Sequence, residues 1–512
     1  MRINLLATAV AVGLLAVSCG NAPHEPRTIK IVQYNVGVFY KSGESTLNMV
    51  ADMMKEVGAD VVSLNELDSC ARRTGGVDEL KDFAAAMGGW NYRYSKALDF
   101  QGGGYGIGVA GADKPVATYA MTLEQGDGSE QRALAVMEFK DYVVASAHLE
   151  YSSAAAQYNQ AKIATEWLQA KYGDTKKPVF FCGDMNAFPE SETIAYLRKN
   201  FYLLTPLADT FPSHAPNECI DYIFALRNGA AWTLKGCKVL DSFESGDVAV
   251  ASDHLPIMAE VELAEADFSD FFTHKDFVLE AHRGLSNKFP ENTELAFREA
   301  GKIPAYGGME TDVAFSQDRV LICMHDFTLD RTTDGTGLPK EYLFEELQKL
   351  NITGGYGWSE QFEDAGLRIP EFRTYLQVCK ETGLIPYVEL KSVDNEAIDA
   401  VVAMLHEEGF TDADYVLTSF FKDHLLYAMN ISEAPLEYMK NPFTEEDVKA
   451  CLGLKNWVIR PNSTTIDGDF VDFCHHLGFP VECWALPVGD GALLENLHAW
   501  GVHGVTCNDW EF

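Results

Sequence analysis

The stretch Ala251–Ser286, ASDHLPIMAEVELAEADFSDFFTHKDFVLEAHRGLS, holds two compact polar clusters. Ser252-Asp253-His254 belongs to one set of apolar runs, and His282-Arg283-Gly284 opens another. Between them lie apolar, acidic and aromatic residues. Either the clusters build one site, or one unit ends here and a second begins. The rhythm of the chain on each side decides between these readings.

From Thr28 to Leu263 short apolar runs alternate with turns. IKIVQYNV and DVVSLNEL read as strands, and between them Leu47, Val50, Met54 and Val57 recur at helical spacing until Gly58 stops the helix. RALAVMEF and YVVASAHL are separated only by Lys140-Asp141, which predicts an antiparallel hairpin. PVFFCGDMN, CIDYIFA and LPIMAEVEL complete the set. Hairpins mixed with a few helices predict an α+β domain in which helices cover stacked sheets, a four-layer sandwich. The Gly-rich ALDFQGGGYGIGVAG reads as a flexible turn before a strand and lacks the spacing of a nucleotide loop.

From Phe277 onward strand follows helix. FVLEAH, GMETDV, VLICMH, IPYVEL, YVLTSF, LEYMK, NWVIRP, PVECWAL and HGVTCN are nine candidate strands, most separated by helix-like stretches such as Phe372 to Lys380. Repeating parallel units predict an α/β TIM barrel with helices outside. Nine candidates compete for eight places, and METDV is too close to VLICMH for a helical crossover. One crossover must be irregular and one strand misassigned. His282, Glu310, Asp312, His325, Glu389, Lys391 and Asn508 all fall at or near ends of apolar runs, the ends that share one face of such a barrel. The two opening clusters therefore belong to different domains, residues 28–263 and 276–512, joined by a linker at 264–275.

The 512 residues are ample for two domains. Acidic residues number 76 against 40 basic ones, a formal charge of -36, so the surface repels polyanions and a long nucleic acid is a disfavoured partner. Arg2, the apolar run Leu5 to Val17 and the small residues before Cys19 read as an export signal, too short for a spanning helix. This segment resembles a bacterial lipoprotein signal, which implies a signal at 1–19 with a lipidated Cys19, a tether at 20–27, and a membrane partner reached through the lipid. Gly20 rather than Asp after the cysteine favours the outer membrane. The other ten cysteines lack zinc-site spacing and read as buried thiols, with one or two disulfides still open in an exported chain.

AHRGLSNKFPENTELAF, METDVAFSQDRVLICMHDFTLDRTTDGTG, LRIPEFRTYL and PYVELK resemble the glycerophosphodiester phosphodiesterase family, over almost all of Phe277 to Phe512. The chemistry is coherent without that likeness. A phosphodiester anion resists attack until a cation held by carboxylates neutralises it, and Glu310, Asp312 and Glu389 can converge on one divalent ion. His282 and His325, near pKa 6.5 in water, can act as acid and base on opposite sides of phosphorus. Arg283 and Lys391 can hold phosphate oxygens. Family resemblance gives these positions the same work and implies hydrolysis to glycerol 3-phosphate and an alcohol. Asn292 reads as a loop organiser, and Asp326 either positions His325 or caps a turn. Trp484 is either a glycerol platform or a core residue. His503 stands where the family has an acid.

QYNV, LNELD, SAHLE, GDMN, IDYI and SDHLP recur in the order of the DNase I-like endonuclease/exonuclease/phosphatase superfamily, across Thr28 to Leu263. Glu66, Asn35 and Asp253 are the expected metal ligands. Asp184 can orient or deprotonate water, Asn186 fixes its geometry, and His254 donates to a phosphate oxygen or leaving group. Asp221 would hold the tautomer of His254, and His148 and Arg132 would face phosphate, with Tyr105 near the cleft. Asp68 and Glu150 read as surface residues. Both sites call for Mg²⁺ or Ca²⁺, since oxygen-rich ligation suits zinc less well. The expected substrates are small or phospholipid-derived phosphate esters. A nuclease in the first domain, or one inactive ligand-binding domain, are the competing readings.

Overall fold

The computed structural model describes residues 26–512 except 41–42, 124–129, 270, 273–276, 392, 510 and 512. The export signal, Cys19 and most of the tether lie outside the described residues.

Twelve strands build the first domain: β1 (Thr28–Asn35), β2 (Val61–Ser69), β3 (Asn91–Phe100), β4 (Gly103–Gly111), β5 (Ala117–Leu123), β6 (Arg132–Glu138), β7 (Val143–His148), β8 (Val179–Asp184), β9 (Phe201–Leu203), β10 (Asp221–Leu226), β11 (Thr233–Val239) and β12 (Ile257–Glu262). They form two six-stranded sheets, ordered β11-β12-β1-β2-β4-β3 and β5-β6-β7-β8-β10-β9. Alternation explains the stacking. Ile29 and Ile31 of β1 face the second sheet, among Ala135, Met137 and Phe180, while Val32 and Tyr34 face outward. That outward face is covered by α1 (Leu47–Glu56) and α2 (Glu79–Ala86), through Met53, Met54, Leu80 and Phe83. The second sheet is covered by α3 (Ala154–Tyr172) and α4 (Glu192–Asn200), through Ala164, Leu168, Ile194 and Leu197. β6 and β7 form the expected antiparallel hairpin.

The Gly-rich run departs from its sequence reading. Only Gln101 and Gly102 are the turn; Gly103–Gly111 is β4 itself, the antiparallel partner of both β2 and β3. A Cβ on Gly103 would stand 2.2 Å from Ser69 O, and one on Gly106 2.2 Å from Ser95 O. The glycines let neighbouring backbone approach, and they erase the apolar alternation by which strands are read.

The second domain is a parallel barrel of β13 (Val278–Ala281), β14 (Tyr306–Phe315), β16 (Ile385–Leu390), β17 (Val416–Ser419), β18 (Leu436–Lys440), β19 (Trp457–Pro461), β20 (Glu482–Leu486) and β21 (Gly504–Cys507), in the order β19-β18-β17-β16-β14-β13-β21-β20. Two parallel bridges, Ile459 to Val481 and Asn462 to Trp484, nearly close the ring. The supernumerary candidate is VLICMH. Its core, β15 (Leu321–Cys323), turns back antiparallel on β14 and takes no place among the parallel strands. The crossover to β16 is the irregular one, passing through short helical turns before the helix Phe372–Thr382.

The domains share buried surface. One apolar cluster includes Tyr202, Leu204 and Trp232 of the first domain and Phe473, Leu477 and Phe479 of the second. Trp232 stacks on His476 with ring centroids 4.0 Å apart, and His476 Nδ1 lies 2.8 Å from Trp232 O. Lys449, nearly buried, donates to Thr205 O at 2.9 Å. All ten described cysteines are free thiols, buried except for Cys70 and Cys237.

Candidate active sites

The barrel strands deliver the polar residues to one end. Glu310 and Asp312 sit two apart on β14 and share a face, and β16 places Glu389 in register with Asp312. The three carboxylates offer oxygens within 4.8 Å of one another. Glu310 Oε1, Asp312 Oδ1 and Glu389 Oε1 are buried with no hydrogen-bond partner in the described residues. Buried acceptors left unpaired are costly, and three pointing together could hold a divalent cation. Burial and the neighbouring Asp312 push Glu310 well above the usual carboxylate range and Glu389 to about 8. Burial also opposes ionisation of Asp312, but Arg283, His325 and Lys391 outweigh it and hold its pKa low.

Basic groups and imidazoles ring this cluster. His282 follows β13, and its Nδ1 lies 2.7 Å from Asn508 Oδ1 at the end of β21. That leaves Nε2 free to accept a proton. Burial, then Arg283, drives the pKa of His282 down to about 4, so the ring is neutral at pH 7. Arg283 has φ of 55°, and this left-handed turn points its backbone N–H to Glu310 Oε2 at 2.9 Å while its guanidinium lies 3.3 Å from Asp312. His325 Nδ1 meets Asp326 at 2.7 Å and its Nε2 meets Lys391 Nζ. Lys391 Nζ also stands 3.9 Å from Glu389 and 4.0 Å from Asp312. Trp484 is on the cavity wall with these groups, in a space of about 470 Å³.

Three neighbours do work that sequence leaves undecided or unseen. Asn292 donates to Asp312 Oδ2 at 2.9 Å, so it orients an acid as well as its own loop. Asp326 holds His325 and accepts two bonds from Arg331. Glu291, unremarked in the sequence, accepts from Arg283 at 2.8 Å and from both terminal nitrogens of Arg331. His503 lies at the opposite end of the barrel, where it packs on Phe268 and Phe272 of the linker. Its departure from the family pattern therefore sits away from the chemistry.

In the first domain β1, β2, β7 and β8 all end at one rim. Register pairs Asn35 with Asn65, His148 with Asp184, and Asp221 of antiparallel β10 with Asp184. His254 Nδ1 lies 2.9 Å from Asp221 Oδ2, and its Nε2 lies 3.6 Å from Asp184 Oδ2. Burial opposes charge on His254, but Asp221 and Asp184 outweigh it and raise its pKa to about 9. Burial and Asp221 raise Asp184 to about 7. His148 Nε2 lies 3.6 Å from Asp184, and burial with nearby Arg132 keeps this ring neutral. Asn186, at φ 48°, anchors its amide on Leu149 O at 2.9 Å. Arg132 is buried beside Glu130 at 3.0 Å, and Tyr105 lies on the cavity wall with it.

The expected metal set is not gathered as tightly as in the barrel. Glu66 and Asp253 line the same cavity, of about 410 Å³, as Asp184 and His254. Asn35 stands between two acids: Nδ2 donates to Glu66 at 3.2 Å and to Asp184 at 3.0 Å, while its Oδ1 accepts from Gly37 N. The amide thus spaces the carboxylates instead of turning its oxygen to them. Among the described residues, the first domain's close group is Asp184, Asp221 and His254. Its His254–Asp221 bond marks it as a proton-handling set. Asn65 supports the rim from beneath, accepting from Asp184 N at 2.8 Å and donating to Ala147 O. Asp68 and Glu150 are not surface residues. Both are buried: Asp68 takes two bonds from Arg73, and Glu150 accepts from Ser152 and from Glu130 N.

Two family models match the chain, each over one domain. Residues 282–511 match the glycerophosphoryl diester phosphodiesterase family and residues 32–254 the endonuclease/exonuclease/phosphatase family. Human glycerophosphodiester phosphodiesterase 1 is 36% identical over 149 residues, 29% of this chain and 44% of that relative. The match thus spans less than half of the relative's length. A solved Oleispira antarctica phosphodiesterase in complex with the product sn-glycerol-3-phosphate is similar over 45% of this chain and 92% of its own, at 25% identity and a TM-score of 0.41. A Bacteroides thetaiotaomicron mannosyl-6-phosphatase is similar over 46% of this chain and 99% of its own, at 18% identity and a TM-score of 0.38.

Proposed function

We propose that this tandem of an endonuclease/exonuclease/phosphatase domain and a glycerophosphodiester phosphodiesterase domain is a phosphoesterase with two active sites. The barrel would hydrolyse glycerophosphodiesters to glycerol 3-phosphate and an alcohol. One observation carries this reading: three unpartnered carboxylate oxygens converge beside two imidazoles, an arginine and a lysine. Glu310, Asp312 and Glu389 would hold Mg²⁺ or Ca²⁺, which supplies the charge that makes the phosphodiester open to attack. Arg283 and Lys391 bind its oxygens. His282, neutral and held through Nδ1 by Asn508, takes the proton of the attacking hydroxyl at Nε2. His325, held through Nδ1 by Asp326 and with Lys391 beside its Nε2, gives a proton to the leaving oxygen.

The first domain would hydrolyse a small or lipid-derived phosphate ester. Glu66 and Asp253 would hold its cation, with Asn35 joining only if its amide turns. Asp184 receives a proton from water, and His254, charged by Asp221, donates to the ester oxygen. A nuclease is the second reading, and the charge of -36 weighs against it. Anchoring through a lipidated Cys19, on the periplasmic or outer face of the outer membrane, belongs to the same proposal. Radiolabelled palmitate should enter the full chain and be lost in Cys19→Ser.

The test is a screen of the full chain, Glu310→Ala and Glu66→Ala against glycerophosphodiesters, inositol phosphates, sphingomyelin and plasmid DNA, with EDTA and then metal added back. Glu310→Ala should abolish glycerophosphodiester turnover and spare the first site. Silence of the unaltered, metal-supplied chain toward every glycerophosphodiester sinks the barrel reading.

A further inference from the structure

The first domain's cavity combines buried nitrogen donors with half-buried carboxylates. Arg132 and His148 are 3% and 6% exposed, and Arg132 Nε and His148 Nδ1 are buried with no hydrogen-bond partner among the described residues. His254, held through Nδ1 by Asp221, completes the set of nitrogens around this space of about 410 Å³. Glu130 and Glu218, both half-buried, line the same space, and so does Tyr151, which is 71% exposed. Among the described lining residues Arg132 is the one lysine or arginine. A strand of nucleic acid, or an alcohol with several phosphates, needs a cation for each further phosphate, and here it meets carboxylates instead. Hydroxyl groups suit those carboxylates, which accept their hydrogen bonds.

A phosphomonoester has three terminal oxygens and one ester oxygen, whereas a phosphodiester has two of each. With His254 at the ester oxygen and Arg132 and His148 at two terminal oxygens, the third terminal oxygen falls to the Glu66–Asp253 end of the cavity. A diester would set a second carbon substituent against one of these partners and leave a buried group unpaired, which is costly. The reaction proposed for the barrel makes a monoester of this kind. On the proposed function of both domains, and resting on it, we infer that the first domain consumes what the barrel releases: it is a phosphomonoesterase whose substrate is glycerol 3-phosphate, with the phosphate at Arg132 and His148 and the two hydroxyls at Glu130 and Glu218. A water oxygen bonds to phosphorus, and the bond from phosphorus to the glycerol oxygen breaks. Asp184 takes the water's proton and His254 gives one to the departing oxygen, so the products are glycerol and inorganic phosphate. One chain thus turns a glycerophosphodiester into two alcohols and phosphate by two successive additions of water.

The experiment supplies Mg²⁺ and glycerophosphoethanolamine to the full chain and follows ethanolamine, glycerol 3-phosphate and inorganic phosphate by mass spectrometry and phosphorus NMR. Ethanolamine and phosphate should appear one for one. Glu66→Ala should stop at glycerol 3-phosphate, and Glu310→Ala should release phosphate only from added glycerol 3-phosphate. The two variants mixed should again carry the diester to phosphate. Glycerol 3-phosphate should exceed 1-propyl phosphate, which lacks both hydroxyls, in kcat/KM by about tenfold or more, and Glu218→Gln should cut that preference by about threefold or more. In EDTA, a phosphorus NMR titration of Glu310→Ala with glycerol 3-phosphate should show binding that a further Arg132→Gln weakens by about fivefold or more. Accumulation of glycerol 3-phosphate by the unaltered chain overturns the inference and leaves the barrel reading standing. Equal turnover of the two monoesters does the same, as does faster turnover of phosphoethanolamine or an inositol phosphate. Binding unchanged by Arg132→Gln also overturns it. Phosphate from glycerol 3-phosphate with the diester untouched sinks the barrel reading, and the reaction sequence with it.

Discussion

The His254–Asp221 bond of 2.9 Å sets what the first site can do with protons. A buried histidine would ordinarily be neutral, and the carboxylates of Asp221, then Asp184 and Asp253, keep this one charged to about pH 9. The donor form is present below the raised pKa and lost above it, so the alkaline limb of kcat/KM should fall near pH 9. Asp221→Asn removes the largest stabilising charge, shifts that limb toward or below 6.5, and lowers kcat by about a hundredfold or more. A pH profile of both proteins decides it, and an unmoved limb would assign the limb to another group. In the barrel, Glu291 joins Arg283 to Arg331, and Arg331 joins Asp326, which holds His325. Glu291→Ala takes one carboxylate from Arg283, a nearly buried cation, and leaves it Asp312 at 3.3 Å. Loss of about 1–3 kcal/mol of stability is expected, measured by denaturant titration, together with a raised KM. Residues that carry chemistry were legible because several acids and imidazoles at strand ends have few structural uses. Glu291 and Arg331 were not, because an ion pair across 40 positions leaves no local pattern. Asp68 and Glu150 misled for the converse reason: a charged residue reads as exposed unless its partner is known, and Arg73 and Ser152 declare themselves only in space.

At the scale of elements, legibility tracked apolar periodicity. β1, β2, β6, β7 and β8 carry apolar or alternating runs and were read. β3, β5 and the extent of β4 were not, although β4 and β3 are two of the six strands of the first sheet, its far edge, and β5 is an edge of the second. β4 shows the reason most clearly, since five of its nine residues are glycine. At Gly106 the missing side chain is a packing requirement: besides Ser95 O at 2.2 Å, an added Cβ meets Ala97 N and Lys96 Cα at 3.1 Å, and all are backbone atoms that cannot swing aside. Gly106→Val should therefore force β3 away from β4 and cost roughly 1–3 kcal/mol or more, despite valine's higher strand propensity. Thermal denaturation of this variant against Gly102→Asn gives the comparison, because Gly102 sits in the turn with open space around it and φ of 90°. If the two cost the same, close approach is not what the glycine provides. In the barrel, a strand count of nine was legible but the odd strand was not, because β15 has the composition of its neighbours and differs only in direction.

At the scale of the molecule, the linker and the interface tie two chemically separate halves together. The linker's Phe268 packs on His475 and His503 beneath the barrel, far from the carboxylates at its mouth. Burial, with His503 adding to it, lowers the pKa of His475 to about 4, while Asp472 opposes the shift and His476 reinforces it. A histidine depressed in the folded chain binds its proton only after unfolding, so acid favours the unfolded state. Stability is full above pH 6.5, declines below it, and by about pH 4 has lost its whole contribution from this residue. At pH 5 the loss is about 2 kcal/mol, from 1.36 kcal/mol per pH unit below 6.5. His476, half-buried against Trp232 and also lowered, adds to it in the same direction. His475→Phe keeps a ring against Phe268 and cannot titrate. Its denaturation midpoint should therefore fall less between pH 7.5 and pH 5 than that of the unaltered chain, while the two should lie close together at pH 7.5. Parallel loss in both proteins would place the acid sensitivity elsewhere. A larger gap at pH 7.5 than at pH 5 would mean that the imidazole stabilises by packing alone.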